Sequence, residues 1–250
     1  MIIAFDIGNT RTKMAAFEQG KLIQHWNLSS HHLAQELSDI LSQLPQGDFY
    51  QIGWMSVANV RPLDTYQLWK SWENSYTISH IHTKTNLPIA HAYQTPETLG
   101  IDRIVAVIAA KAVFPDASVL VIDAGTALTY EFATAEGVYL GGGISPGIQM
   151  RFKALHTFTA RLPLIEEIAM SELVGTSTIA CMRSGVLNGI VAEMEGICTR
   201  YQQRYGEDVK ICLTGGDMHF FENQLKNLTF ADENLTLKGI CHIIMHNSTI

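Results

Sequence analysis

The stretch Asp6-Ile7-Gly8-Asn9-Thr10-Arg11-Thr12-Lys13 places a carboxylate, a tight turn and one lysine within eight residues. Gly8 has no Cβ, so it permits a sharp turn and a close approach of backbone to a ligand. Asn9 and Thr10 offer polar side chains to phosphate oxygens, and Lys13 adds a compact positive charge. Asp6 would repel a bare phosphate. Its presence is explained by a Mg²⁺ ion that keeps several waters and lies between the carboxylate and the phosphates. Taken alone, the stretch also reads as an ordinary hairpin with an Asx-type turn.

A second loop changes the balance. Asp123, Gly125, Thr126 and Thr129 repeat the pattern without a lysine. One such loop facing its twin forms a clamp for a polyphosphate or its metal. That suits phosphoryl transfer, where catalysis is mostly positioning and charge stabilisation. A third block runs Tyr93-Gln94-Thr95-Pro96-Glu97-Thr98-Leu99-Gly100-Ile101-Asp102-Arg103. Pro96 and Gly100 fix a loop ahead of an apolar helix. The helix macrodipole favours a carboxylate at that end, so Asp102 also has a purely structural reading. Arg103 is mildly unfavourable there and points to a bound anion or a paired carboxylate. As chemistry, Asp102 would accept the proton of an attacking hydroxyl. Arg103 would hold a substrate carboxylate or the transferring phosphoryl group.

Two glycine clusters, LGGGISPG at Leu140 to Gly147 and TGGD at Thr214 to Asp217, also permit close backbone approach. There is no GxxxxGK[ST] and no GxGxxG after a strand, which argues against a P-loop and a dinucleotide fold. His31-His32 and His80-Ile81-His82 lack accompanying cysteines or carboxylates and read as solvated side chains. Trp54, Trp69 and Trp72 read as packing residues.

These residues need a scaffold, and the sequence repeats itself to supply one. Residues 1–22 and 118–140 each carry an apolar strand (Ile2 to Phe5; Val119 to Ile122), Asp-x-Gly, a second strand (Thr12 to Phe17; Leu128 to Phe132) and a turn with Gly20 or Gly137. The remaining spacing predicts helices over Leu33 to Leu44 (with Ser30 as a cap), Leu63 to Tyr76, Ile101 to Phe114 and much of Ser171 to Tyr205. It predicts strands at Gln51 to Val57 and Lys210 to Leu213, and a weaker one near Thr236 and Leu237. Strands alternating with helices indicate an α/β class.

Composition sets the limits. The 250 residues suit two small domains, and 47% hydrophobic content supports a sizeable core. A net charge of −7 and a pI near 5.8 argue against a broad nucleic-acid surface. The cysteines at 181, 198, 212 and 241 form no CxxC, as expected of thiols in a reducing cytoplasm. No signal-peptide pattern and no apolar run of ~20 residues occur, so the expectation is a cytoplasmic protein without a membrane partner.

Together these blocks resemble type III pantothenate kinases, the enzymes that open coenzyme A biosynthesis in many bacteria. They belong to the superfamily that joins acetate and sugar kinases with actin. DxGNTxxK is Asp6 to Lys13, the Tyr…Pro…LGxDR block is Tyr93 to Arg103, and DxGTAxT is Asp123 to Thr129. GGxIxPG lies within Leu140 to Gly147, and TGGD is Thr214 to Asp217. The resemblance implies two ribonuclease H-like halves, 1–115 and 116–250, facing each other across a nucleotide-binding cleft. It implies a phosphate loop of Asp6, Ile7, Gly8, Asn9, Thr10, Arg11, Thr12 and Lys13, with Asp6 near Mg²⁺ and Thr126 contacting ATP. Asp102 would be the general base, and Tyr93, Gly100, Ile101, Asp102 and Arg103 would line the pantothenate site. Asp123 would help bind a monovalent cation, K⁺ or NH₄⁺. A homodimer is implied, with Thr178 of the GxNT-like block Gly175-Thr176-Ser177-Thr178 completing the pocket. Ser177 stands where the family usually has asparagine. Some close relatives are described as accessory regulators of transcription. Acidic charge, no helix-turn-helix signal and the intact Asp6/Lys13/Asp102/Arg103 set speak against that reading here.

Overall fold

A computed structural model describes residues 1–8, 11–30, 51–56, 76–170 and 172–248, with Leu33, Glu36, Leu37, Ile40 and Lys70 besides. Asn9, Thr10, His31, His32, Trp69 and Trp72, and most of the helices expected over 33–44 and 63–76, lie outside the described residues. The chain divides into two units, Met1–Ala112 with Asn234–Ile250, and Val113–Glu233.

In the first unit β1 (Ile2–Ile7), β2 (Arg11–Glu18) and β3 (Lys21–Ser29) form an antiparallel meander, and β4 (Gln51–Ser56) and β5 (Thr77–His80) add in parallel. The strand order is β3-β2-β1-β4-β5. Alternation along β1 assigns its side chains to two faces. Ile3, Phe5 and Ile7 pack with Met14, Leu28 and Ile52 on one face, where Leu33 and Leu37, four residues apart, also dock. Ala4 belongs to the opposite face, with Ala15 and Phe17. That face is covered by α1 (Ile101–Val113), through Val105 and Ile108, and by α4 (Leu235–Ser248), through Leu237, Ile240, Cys241 and Ile244. β6 (Ala90–His91) and a short 3₁₀ turn at Pro96–Thr98 precede α1.

The second unit repeats this plan. β7 (Val119–Ala124), β8 (Ala127–Ala133) and β9 (Val138–Pro146) form the meander, and β10 (Lys210–Thr214) and β11 (Leu228–Ala231) add in parallel beside β7. These strands run β11-β10-β7-β8-β9, the same order and directions as in the first unit. The duplicated α/β architecture is therefore present in strand topology as well as in sequence. α2 (Ile148–Thr157) contributes Ile148 and Phe152 to the core. α3 (Thr178–Tyr205) contributes Met182, Val186, Leu187, Ile190, Met194 and Cys198, a helical stripe against Leu120, Ile122 and Tyr130. Its 28 residues span about 42 Å.

Two expectations need correction. The segment near Thr236 and Leu237 is the first turn of α4, not a strand. The alternating Asn234-Leu235-Thr236-Leu237 imitates a strand, but Leu237, Ile240, Cys241 and Ile244 recur at helical spacing. The division at 115/116 also fails for the last 17 residues, because the apolar face of α4 packs on the sheet of the first unit.

Candidate active site

In the first unit the carboxylate and the lysine of the opening loop are cross-strand neighbours. Asp6 ends β1 and pairs in register with Lys13 of β2. The Gly8 amide donates to the Arg11 carbonyl at 3.0 Å, closing the turn between the strands. Ser30, expected as a helix cap, donates its hydroxyl to the Gly8 carbonyl at 2.7 Å. The Thr12 hydroxyl lies 2.9 Å from Ser30 Oγ. Thr12 and Ile7 are fully buried, so their side chains brace the loop and only their backbone is available to a ligand. Arg11 is exposed beside them.

Burial pushes the Asp6 carboxyl up to about 6; Lys13 opposes that shift, Asp102 adds to it, and a hydrogen bond from Thr236 opposes it. Thr236 donates to Asp6 Oδ2 at 3.3 Å from the first turn of α4. The carboxylates of Asp6 and Asp102, 96 positions apart in sequence, therefore feel each other's charge. Such an arrangement leaves Asp6 short of positive charge, and a divalent cation would supply it. The carboxylate offers oxygen ligands of the kind that Mg²⁺ favours alongside retained water.

Asp102 lies in the first turn of α1. A Cβ built on Gly100 would come within 2.5 Å of Asp102 Oδ1, so the carboxylate occupies the space that glycine leaves. Gly100→Ala should lower kcat about 10- to 100-fold by displacing the carboxylate, with little change in melting temperature. A normal kcat in this variant would show that the position of Asp102 is not critical. The Arg103 Nη1 donates to Tyr93 Oη at 3.3 Å, and its guanidinium carbon lies 5.7 Å from the Tyr93 ring centre. Tyr93 and Arg103 thus form one contact pair ahead of and within the helix start.

In the second unit Asp123 takes the position of Asp6, but its register partner is Thr129, where the first unit has Lys13. The Gly125 amide donates to the Ala127 carbonyl at 3.2 Å. Gly215, at φ +100°, presses against Asp123 Oδ1 and the Ala124 carbonyl so closely that a Cβ would collide with both. The Asp217 amide donates to the Ala124 carbonyl at 2.8 Å. The TGGD cluster thus closes over the Asp123 carboxylate. Oxygen donors with a threonine in the lysine's place suit a monovalent cation. Thr126 is exposed at the loop tip, and its carbonyl accepts from the Gly147 amide at 3.2 Å.

Ser177 caps α3: its Oγ accepts from the Ala180 amide at 3.2 Å. Serine and asparagine cap helices about equally well, so the departure from asparagine preserves this function. Thr178 follows as the first helical residue and lines a groove of about 1210 Å³ with Leu155, Phe158, Leu162 and Met182.

The model of the family described as "Type III pantothenate kinase" matches residues 2–200. A curated type III pantothenate kinase of Phocaeicola vulgatus is 40% identical over 253 residues, covering 100% of both chains. The chain belongs to the type III pantothenate kinase family. Two solved structures share its fold. One, from Campylobacter jejuni and assigned to the Baf family of transcriptional activators, has a TM-score of 0.61 at 22% identity, covering 99% of this chain and 100% of its own. A glucokinase from an Antarctic psychrotroph has a TM-score of 0.52 at 13% identity, covering 98% of each chain.

Sequence reasoning did not single out Thr236, Ser30, or the contact of Gly215 with Asp123 as parts of these sites. Each acts through a partner distant in the chain, so no local motif announces it. His80 and His82, expected as solvated, are exposed but not isolated. His80 stacks on Trp54 at 3.9 Å between ring centres, and His82 meets His80 edge-on at 5.3 Å.

Proposed function

We propose that the protein phosphorylates the 4′-hydroxyl of pantothenate with ATP, giving 4′-phosphopantothenate in the first step of coenzyme A biosynthesis. The observation that carries this reading is the electrostatic grouping of Asp6, Lys13 and Asp102, added to membership of the family. Asp102 accepts the hydroxyl proton as the oxygen attacks the γ-phosphorus. Lys13 and the Gly8 backbone hold phosphate oxygens, and Arg103 with Tyr93 holds pantothenate alongside Gly100 and Ile101. Asp6 would hold Mg²⁺, which offsets charge on the phosphates when bound. Asp123 would hold K⁺ or NH₄⁺, and Thr126 would contact ATP. Asn9, Thr10, Arg11 and Thr12 complete the phosphate loop in this reading, Thr12 through its backbone.

The test is a coupled assay of ADP release at high ATP with K⁺ present. Release that depends on pantothenate is the expected result. Release with other hydroxylated acids but not pantothenate, or none at all, would overturn the assignment. The regulator reading gains nothing from the Campylobacter structure, whose likeness is one of fold.

We further propose a homodimer formed through α2 and α3. Phe158, Leu173 and Val174 are 85%, 77% and 76% exposed, an apolar surface that association would cover. Gly185, Gly189 and Gly196 on α3 leave open space for a close partner. Sedimentation analysis measures the mass directly. A cytoplasmic location agrees with four free cysteines. Among the described residues no helix is long and apolar enough to cross a membrane.

A further inference from the structure

One side-chain cluster in the second unit is not used by the chemistry above. Arg151 projects from α2 and donates Nε to the Pro146 carbonyl at 2.8 Å. Its Nη2 donates to Ser145 Oγ at 3.0 Å and to Glu193 Oε2 at 2.5 Å. Glu193, on α3, also accepts from Tyr130 Oη of β8 at 3.0 Å. One guanidinium therefore joins two helices to the last two residues of β9.

Those residues matter because of what they hold. Pro146 pairs with Ala127 and Ser145 with Leu128. Proline has no N–H, so β9 ends without one of the donors a strand normally offers. The chain then turns at Gly147, whose amide donates to the Thr126 carbonyl at 3.2 Å. Beyond Thr126 lie Gly125 and the Asp123 carboxylate. A strand end that lacks a backbone donor is pinned instead by a side chain, and the Thr126 loop is tied to that end.

We propose that Arg151, held by Glu193, is a positioning residue for the Thr126 loop and sets the affinity for the nucleotide. The proposal rests on the kinase reading, in which Thr126 contacts ATP. Only a guanidinium makes these three bonds at once, because its donors form a rigid fork; a lysine offers one nitrogen. The side chains of Arg151 and Glu193 are 21% and 27% exposed, so solvent screens the pair less than it screens a surface ion pair. Burial works to raise the Glu193 carboxyl. Hydrogen bonds from Arg151, Ser145 and Tyr130 and the charge of Arg151 outweigh it and hold the group below its usual range. Glu193 therefore stays ionised and able to accept at neutral pH.

The experiment compares Arg151→Met, Arg151→Lys, Glu193→Gln and the Met/Gln double variant with the parent. KM for ATP should rise about tenfold in Arg151→Met. KM for pantothenate at saturating ATP should stay within about twofold in Glu193→Gln, whose side chain lies off the groove that contains Thr178. Arg151→Lys should fall between parent and Arg151→Met. Glu193 does not line the groove that contains Thr178, whereas Arg151 does. Glu193→Gln should nevertheless shift the ATP parameter in the same direction, and the double variant should be no worse than Arg151→Met. Calorimetric titration with Mg·ADP gives a readout that needs no turnover, and its Kd should rise in parallel. Loss of pantothenate-dependent turnover in the parent alone would sink the kinase reading and leave the ADP titration interpretable. Unchanged ADP affinity in Arg151→Met and Glu193→Gln, or a shift confined to pantothenate, overturns the proposal. If Arg151→Met does not fold, Arg151→Lys and Glu193→Gln decide it by the same criteria.

Discussion

Asp102→Asn should abolish most turnover, by about 10²- to 10⁴-fold, the range typical of a lost general base. Asparagine has nearly the shape of aspartate, so the space left by Gly100 still accommodates the side chain, and the start of α1 is unchanged. KM for both substrates should therefore stay close to normal. A second readout separates chemistry from structure. Asp102 contributes to the raised pKa of Asp6. Removing its charge should lower the Asp6 pKa, measurable by carboxyl ¹³C NMR titration of the metal-free protein. Near-normal turnover would exclude Asp102 as the base. An unmoved Asp6 titration would show that the two carboxylates do not interact.

Asp6→Asn should be both inactive and more stable. Turnover should fall about 100-fold or more, because in the proposed reaction Asp6 organises charge around the phosphates. The stability effect follows from linkage. In the metal-free protein burial pushes the Asp6 carboxyl up to about 6, from an ordinary 3.8 in the unfolded chain. The folded state therefore binds extra proton between those values. Its stabilising contribution is fully present below 3.8 and is lost as pH rises through about 6. Asparagine does not ionise, so the variant should lack this pH dependence and outlast the parent above pH 6. For a chain of this size each kcal/mol relieved raises Tm by about 2–4 °C. A lower Tm above pH 6 would mean that the ionised Asp6, paired with Lys13, stabilises the fold instead of being retained for a ligand.

The pairing of Asp6 with Lys13 was legible because the two lie close in the chain. Asp6 and Lys13 are seven positions apart, and a hairpin turn makes them cross-strand partners. The duplication was legible for the same reason, since each copy of the meander is local. The segment near Thr236 and Leu237 reads as a strand because Asn234 to Leu237 alternates, and only the longer pattern of α4 reveals the helix. What could not be read were contacts with no local signature. Thr236 reaches Asp6 from 230 positions away, and Glu193 reaches Arg151 from 42 positions away. The Ser177 departure looked like a change in a binding pocket, but its oxygen is used to cap α3.

The return of α4 to the first unit also sets an order of assembly on the ribosome. The first unit begins at Met1 but lacks Leu237, Ile240, Cys241 and Ile244 from its core until the last helix emerges. The second unit is inserted within it and is complete in sequence at Glu233. Domains fold as units as they become available during synthesis. The part of the chain made first is thus finished last. A nascent chain arrested or clipped before residue 235 would carry an intact inserted unit and a sheet face that only α1 covers, and Asp6 would lack Thr236. Synthesis of α4 is therefore a checkpoint on the opening loop, 230 residues upstream.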